Sequence, residues 1–160
     1  MNKFSVLIVC TANICRSPMA HGLLKFLLNS ESMNGLVTVD SAGTHLLQKG
    51  LPPDIRAQQV AFQSGIDLSD LRSRKIQLKD FSRFNYILTM DIHNYRVLQE
   101  LCPEQHRHKI SMAMEFAPEL DDIEVPDPYF SNIAGFERVF KMLEVAMKGV
   151  VQHNRQNNNQ

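Results

Sequence analysis

Apolar and polar positions along the chain form short strand-like runs that are separated by longer segments with helical spacing. Apolar runs predict four strands, at residues 4–10, 37–41, 86–90 and, more weakly, 109–112. Apolar residues at helical spacing predict four helices, at residues 17–29, 54–64, 92–101 and 132–153. Strands that alternate with helices indicate βαβ units, and therefore an α/β fold with a parallel sheet covered by helices on both faces.

The length and composition predict one domain. A chain of 160 residues is long enough to bury a single core, and 44% apolar with 21% charged residues is ordinary for a globular protein. We expect the domain to span residues 1–154. The polar run at 155–160 is expected to be a disordered tail.

Charge and cysteine content exclude several classes of partner. The 17 basic and 17 acidic residues give no net charge, whereas nucleic-acid binders usually show a basic excess. No apolar segment approaches the length that spans a membrane, so neither nucleic acid nor a membrane is an expected partner. Three cysteines without the spacing of a disulfide scaffold fit a reducing compartment, and the N-terminal apolar run is short for a signal peptide. A cytoplasmic location is therefore expected.

Candidate chemistry lies where the first strand meets the first helix, in the segment CTANICRSP that begins at Cys10. Backbone N–H groups of residues 11–16 can curl into an anion-binding nest, and the helix start adds its positive dipole end. Ser17 is a favoured N-cap, and Pro18 suits the first helical position. The guanidinium of Arg16 can bind two phosphate oxygens. Together these groups favour a thiolate and indicate a phosphate site with a nucleophilic sulfur at its floor.

A cysteine followed six positions later by an arginine is a weak signal by itself. The alternative is a buried thiol at a strand end, with a solvated arginine nearby. The apolar strand before Cys10 and the helix start after Arg16 favour the phosphate site.

The chain resembles the low-molecular-weight protein tyrosine phosphatase family over nearly its whole length. The shared motifs stand in the family's order, and they are CTANICRSP, Ser41-Ala42-Gly43-Thr44, Pro52-Pro53-Asp54-x-Arg56, Met90-Asp91-x-x-Asn94 and Asp127-Pro128-Tyr129. The resemblance implies a four-stranded, parallel, doubly wound sheet in the order 2-1-3-4. It also implies hydrolysis of phosphotyrosine and other aryl phosphate monoesters through a phosphocysteine intermediate, without a metal or cofactor. The implied partners are a tyrosine-phosphorylated protein or a small aryl phosphate, with inorganic phosphate as product.

Three residues are assigned catalytic roles. Cys10 attacks phosphorus, and Arg16 holds the phosphate oxygens. Asp127, stiffened by Pro126 and Pro128, is the general acid toward the leaving phenolate and then the general base toward water. The alternative for Asp127 is membership of a solvated acidic stretch or weak cation site with Asp121, Asp122 and Glu124.

Further residues are expected to bind substrate or to support the loop. The substrate-binding set is Thr11, Ala12, Asn13, Ile14, Cys15, Ser17, Leu46, Leu47 and Tyr129. Asn13, Ser17 and Ser41 are also expected to form a supporting network, although capping and turn formation would explain the same residue types. Cys10 and Cys15 form a candidate redox pair, with an apolar plug at Cys15 as the alternative. The resemblance favours the reversible disulfide.

Three positions depart from the family's pattern. Ala12 stands where many relatives carry glycine, and Leu71 stands where many carry a histidine bonded to the supporting network. Leu46 or Leu47 replaces a large aromatic at the rim, so the preference for aryl substrates is expected to relax.

Two other functions share some of these residues. An arsenate reductase needs two redox cysteines outside the loop, and only Cys102 is available there. A module that carries a phosphoryl group without turnover has no need of Asp127.

Cys102, His106 and His108 have loosely metal-like spacing but lack a fourth ligand, so no metal site is expected. The chain is expected to be a monomer or a weak homodimer.

Overall fold

The computed structural model describes residues 3–160. Its strands form one sheet, in which every neighbouring pair is parallel and the order is β2-β1-β3-β4. The strands are β1 (Phe4–Cys10), β2 (Val37–Gly43), β3 (Tyr86–Thr89) and β4 (Ile110–Met112). The helices are α1 (Arg16–Ser30), α2 (Ile55–Gln63), α3 (Leu78–Arg83), α4 (Ile92–Leu101) and α5 (Ile133–Asn158), with short 3₁₀ turns at Glu104–Lys109 and Ala113–Phe116. The predicted fold class and strand order are confirmed.

Helices cover both faces of the sheet because successive side chains of a strand point to opposite faces. Val6 and Ile8 of β1 pack into the larger core with residues of α1, α2 and α5. Leu7 and Val9 pack into a smaller core with α3 and α4. The central strand is thus buried on both sides, as its uninterrupted apolar sequence predicts.

The carboxyl end of β1 lies at the point where the strand order reverses. The chain passes from β1 to β2 on one side and then crosses to β3 on the other. Ligands of such open sheets bind in the crevice at this point, and Cys10 is the last residue of β1. Gly43 pairs with Cys10, and a Cβ on this glycine would lie 2.6 Å from the carbonyl oxygen of Thr11. Only glycine therefore lets β2 run this close to the loop after β1.

Two parts of the helical prediction are wrong. Helix α3 lies in a region where the sequence pattern predicts no element, and it begins with reciprocal capping bonds between Gln77 and Asp80. The last helix continues beyond His153 to Asn158, because polar side chains in its last turns bond one another, as Asn158 Nδ2 does to Asn154 Oδ1 at 3.2 Å. The division into a domain and a tail at residue 154 stays a prediction. Within residues 3–160, the chain forms no helix with the length and apolar character needed to cross a membrane.

Candidate active site

A cavity of about 180 Å³ opens beyond the carboxyl end of β1. It brings the three predicted catalytic residues together with most of the predicted substrate-binding residues. The lining residues are Cys10, Thr11, Ala12, Ile14, Cys15, Arg16, Leu47, Asp127, Tyr129 and Phe130. The cavity floor is therefore the loop between β1 and α1, and its walls come from the segments around Leu47 and Asp127.

Arg16 is held in one orientation by contacts on its inner edge. Its side chain is only 2% exposed, and Nη1 donates to Asp91 Oδ2 at 2.7 Å and to the Val125 carbonyl at 2.9 Å. Nη2 donates to Thr11 Oγ1 at 3.3 Å and lies 3.8 Å from Asp127 Oδ2. A buried guanidinium with a fixed plane is suited to bind an anion with two parallel hydrogen bonds.

The sulfur of Cys10 lies 3.0 Å from the hydroxyl oxygen of Ser17, which starts a chain of polar contacts. Asn13 Nδ2 donates to Ser17 Oγ at 2.7 Å and to Ser41 Oγ at 3.1 Å. The backbone N–H of Arg74 donates to Asn13 Oδ1 at 3.0 Å, which fixes the amide nitrogen of Asn13 as the donor. Because Ser17 already accepts from Asn13, its own proton is free to point at the sulfur, where it stabilises a thiolate.

Asp127 lies at the mouth of the cavity and is about half exposed. Its Oδ1 accepts a hydrogen bond from the backbone N–H of Tyr129 at 3.1 Å, while Oδ2 faces Arg16. A carboxylate in this position reaches the space above the loop and remains open to water. The geometry fits proton transfer to a group bound between Cys10 and the solvent.

The amino-acid sequence also matches the model of a known family, and the fold and the site geometry described above agree with that match. The family model described as low molecular weight phosphotyrosine protein phosphatase matches residues 5–160. The chain belongs to this family. It is therefore a cysteine-dependent phosphatase of the low-molecular-weight type.

Individual relatives of the family are similar over most of their length. A Synechocystis protein described as a putative low molecular weight protein-tyrosine-phosphatase is 37% identical over 142 residues, which cover 88% of this chain and 90% of the relative. The human low molecular weight phosphotyrosine protein phosphatase is 37% identical over 139 residues, which cover 86% of this chain and 87% of the human protein. The crystal structure of a protein tyrosine phosphatase from Entamoeba histolytica has a TM-score of 0.93 at 34% identity, covering 98% of this chain and 99% of that one.

Three of the predicted substrate-binding side chains do not line the cavity. Those of Asn13 and Ser17 are buried behind the loop, where they bond each other and the sulfur. Leu46 is half-buried, whereas its neighbour Leu47 is 67% exposed at the cavity mouth. Phe130 lines the cavity and was not predicted, although it follows Tyr129 directly and the two rings pack edge to face.

Ser17 is not the N-cap of the first helix. The helix begins at Arg16, and Cys15 is the N-cap, with no side-chain hydrogen bond. The Ser17 hydroxyl is engaged with Cys10 and Asn13 instead, so the requirement of the sulfur for a donor overrides the usual preference for a serine cap.

The loop reaches its curled shape through Asn13, which has a φ of 57°. Asparagine tolerates this left-handed region better than most residues. Within residues 3–160, the only other non-glycine residue with positive φ is Ser32, so Ala12 carries no such strain. The departure from glycine at Ala12 therefore leaves the loop geometry intact.

His21 extends the supporting network, and sequence reasoning missed it. Its Nδ1 lies 3.1 Å from Ser41 Oγ, and burial lowers its pKa to about 4 against an opposing effect of Asp40. The neutral ring accepts the proton of Ser41, which itself accepts from Asn13. The sequence did hold a signal for His21, since it lies four residues after Ser17 on α1 and residues at that spacing share a helix face. Leu71 packs instead against the larger core.

Asp91 and Asn94 also take part in the site without having been assigned a role. Asp91 binds Arg16, and Asn94 Nδ2 donates to Thr11 Oγ1 at 3.1 Å. The backbone N–H of Asn94 donates to Asp91 Oδ1 at 2.7 Å and caps α4. Their position just after β3 was the signal, because the carboxyl ends of adjacent parallel strands meet at one edge of the sheet.

The three cysteines are free thiols in the structure, and the proposed redox pair stays a prediction. Burial, with the nearby negative charge of Asp54, raises the pKa of the Cys15 thiol far above its ordinary value. Cys15 is therefore held in its protonated thiol form. Cys102 is buried and donates to the Pro103 carbonyl, and within residues 3–160 no three His, Cys, Asp or Glu side chains form a metal-binding group.

Proposed function

We propose that this phosphatase hydrolyses phosphotyrosine and other aryl phosphate monoesters through a phosphocysteine intermediate at Cys10, without a metal ion. The observation that carries the proposal is the convergence of Cys10, Arg16 and Asp127 on one cavity. A nucleophile, an anion clamp and an exposed carboxylic acid are the three groups that this reaction needs.

In the first step the thiolate of Cys10 attacks phosphorus in line with the leaving oxygen. The S–P bond forms as the bond from phosphorus to the aryl oxygen breaks, and Asp127 in its acid form gives that oxygen a proton. Arg16 and the loop N–H groups bind the three equatorial oxygens as their charge redistributes. The products of this step are a phenol and phosphocysteine.

In the second step the carboxylate of Asp127 takes a proton from water as that water attacks phosphorus. The S–P bond breaks and inorganic phosphate is released. The departing sulfur regains its negative charge beside the Ser17 hydroxyl, which donates to it at 3.0 Å. The supporting network therefore acts in both steps, because the thiolate is the nucleophile in one and the leaving group in the other.

Apolar side chains at the mouth favour an aromatic leaving group. Leu47, Tyr129 and Phe130 all line the cavity. Such a slot gives a flat ring apolar contact that a small alkyl group does not match. The proposed substrates are accordingly a tyrosine-phosphorylated protein or a small aryl phosphate, as the names of the relatives also suggest.

The proposal extends to location, oligomeric state and redox chemistry. A cytoplasmic location fits three free cysteines, and a monomer or weak homodimer fits the exposed aromatic residues at the cavity mouth. Sedimentation at several concentrations tests the oligomeric state. Peptide mapping after brief exposure to peroxide tests the disulfide between Cys10 and Cys15.

The proposed function is tested by assaying the purified wild-type protein with p-nitrophenyl phosphate, a phosphotyrosine peptide and a phosphoserine peptide. We expect steady-state hydrolysis of the first two, weak hydrolysis of the third, and unchanged rates in EDTA. Loss of activity in EDTA would overturn metal independence. Thiol-dependent reduction of arsenate, or a stable phosphocysteine without turnover, would replace the proposal with one of the two competing functions.

A further inference from the structure

Arg56, in the first turn of α2, contacts the segment that carries the candidate general acid. We call residues 126–131 the acid segment. Nη2 of Arg56 donates to the Tyr129 carbonyl and Nη1 donates to the Ser131 carbonyl, each at 2.9 Å. The guanidinium therefore holds two backbone oxygens of a segment whose side chains are largely exposed.

The same guanidinium is fixed on its other side, through Asp54, to the phosphate loop, which is the segment 11–15 between β1 and α1. Nε donates to Asp54 Oδ1 at 3.0 Å, and Nη2 donates to Asp54 Oδ2 at 2.9 Å. The backbone N–H of Asp54 donates in turn to the Ile14 carbonyl at 2.8 Å. The Arg56 guanidinium also lies over the ring of Phe136, 4.4 Å from its centroid. A continuous set of contacts thus runs from the loop to the acid segment.

This set of contacts ends at the carboxyl group of Asp127. Tyr129 accepts from Arg56 through its carbonyl and donates through its N–H to Asp127 Oδ1. Asp127 Oδ2 also lies 3.8 Å from Nη2 of Arg16. Within residues 3–160, the hydrogen bonds of the Ser131 hydroxyl reach only the carbonyls of Pro128 and Asn132 and do not tie the segment to the loop.

We infer that Arg56 is a positioning residue, which sets the distance between Asp127 and the leaving oxygen by tying the acid segment to the phosphate loop. The inference deepens the proposed function and rests on it. Only a planar side chain with several N–H donors reaches a carboxylate and two carbonyls at once, so lysine is not an equivalent replacement. A general acid must lie within hydrogen-bond reach of the atom that it protonates, and a displacement of about 1 Å can lower a rate about 100-fold.

The inference predicts an effect that depends on the leaving group. The p-nitrophenolate ion departs with little help from an acid, whereas the more basic phenolate needs its proton. Moving Asp127 away therefore slows hydrolysis of phenyl phosphate far more than that of p-nitrophenyl phosphate. A general disturbance of the phosphate loop would slow both substrates alike.

The test compares kcat/KM of Arg56→Met and Arg56→Lys with that of the wild type on both substrates. We expect about a tenfold loss on phenyl phosphate and at most about a twofold loss on p-nitrophenyl phosphate. Inhibition by inorganic phosphate should stay within about twofold of the wild type, since the loop itself is unchanged. Arg83→Met is the matched control, because Arg83 also stacks on a phenylalanine, Phe84, at 5.2 Å.

A double-mutant cycle separates positioning from a structural role. If Arg56 acts through Asp127, adding Arg56→Met to Asp127→Asn causes no further loss on phenyl phosphate. Additive losses, equal losses on the two substrates or weakened phosphate inhibition would each overturn the inference while the proposed function stands. Absence of hydrolysis by the wild type would overturn both. Should Arg56→Met fail to fold, the substrate comparison with Arg56→Lys decides by the same criteria.

Discussion

The phosphate loop and the acid segment, residues 126–131, line one cavity but are built differently. Polar side chains of the loop are buried, with Asn13 and Arg16 each 2% exposed and Ser17 fully enclosed. In the acid segment, Phe130 is 96% exposed and Asp127 about half exposed. The anion site is therefore organised before substrate arrives, whereas the proton donor depends on a few backbone contacts.

This difference separates two kinds of contribution to catalysis. Donors fixed within the fold stabilise developing charge without reorganising during the reaction. A carboxyl group that faces water can exchange its proton between the two steps, but its distance from the substrate must be set by neighbouring groups. Variants on the loop side should weaken phosphate binding and slow the hydrolysis of every substrate. Variants on the acid side should change proton transfer alone.

The largest expected effect comes from Arg16→Lys on the buried side. A lysine cannot contact Asp91, the Val125 carbonyl and a bound phosphate together, so the clamp loses its second oxygen contact. We expect kcat/KM for p-nitrophenyl phosphate to fall about 10³-fold and inhibition by phosphate to weaken. Arg96→Lys on the exposed face of α4 serves as control. Retention of wild-type phosphate inhibition by Arg16→Lys would contradict the account.

Asp127→Asn should have the next largest effect, on the exposed side. Removing the acid is expected to lower kcat/KM for phenyl phosphate about 100-fold, with a smaller loss on p-nitrophenyl phosphate. Inhibition by phosphate should persist, since the loop is intact. Asp122→Asn, in the same acidic stretch, tests whether the negative charge of the stretch alone matters. Similar losses of kcat/KM in the two variants would show that Asp127 is not the general acid.

A smaller effect is expected when one donor behind the loop is removed. Ser17→Ala deletes the hydroxyl 3.0 Å from the Cys10 sulfur. A hydrogen bond to a charged group contributes about 1.5–3 kcal/mol, so kcat should fall at least about tenfold. Alkylation of Cys10 by iodoacetamide at a fixed neutral pH should also be slower than in the wild type, because the hydroxyl that contacts the sulfur is gone. Ser82→Ala at an exposed site is the control, and an unchanged alkylation rate in Ser17→Ala would contradict the assignment.

The smallest expected effect on activity at neutral pH concerns His21, which should instead govern acid stability. Burial lowers its pKa from 6.5 to about 4, so the unfolded chain binds the extra proton in that interval. The neutral ring contributes fully to the free energy of unfolding above pH 6.5. This contribution, roughly 3 kcal/mol, is lost as the pH falls toward 4. The charges of Asp40 and Lys25 face the ring with opposing effects.

His21→Gln is the variant that isolates this contribution. Glutamine can accept from Ser41 but does not titrate, so its free energy of unfolding should vary less between pH 7 and pH 4 than that of the wild type. Urea unfolding at several pH values measures the difference. Parallel pH profiles for the two proteins would show that His21 does not titrate as described.

Apolar pattern and motif spacing predicted the parts of the molecule that depend on local sequence. The strand from Phe4 to Cys10 is buried on both faces, and its uninterrupted apolar run indicates this directly. The grouping of Cys10, Arg16 and Asp127 was also predicted, although for Asp127 the resemblance to a family carried the assignment. Asn13 was expected in the supporting network, and its left-handed backbone is one that asparagine tolerates better than most residues.

Contacts made across the fold were not predictable in the same way. The bond of Arg16 to Asp91 depends on the register between β1 and β3, which no local pattern specifies. Ser17 was misassigned as an N-cap because propensity describes an isolated helix end, whereas here a sulfur competes for the hydroxyl. The last helix extends to Asn158 through side-chain bonds between polar residues, and an apolar pattern cannot reveal those bonds.

The most direct test of the central claim is to trap the covalent intermediate. Wild-type protein is mixed with p-nitrophenyl phosphate, quenched in acid within milliseconds and digested, and the phosphorylated peptide is identified by mass spectrometry. The account predicts one phosphate on the Cys10 side chain, formed and lost at rates consistent with turnover. Steady hydrolysis with no covalent phosphate, or with phosphate on a different side chain, would contradict it.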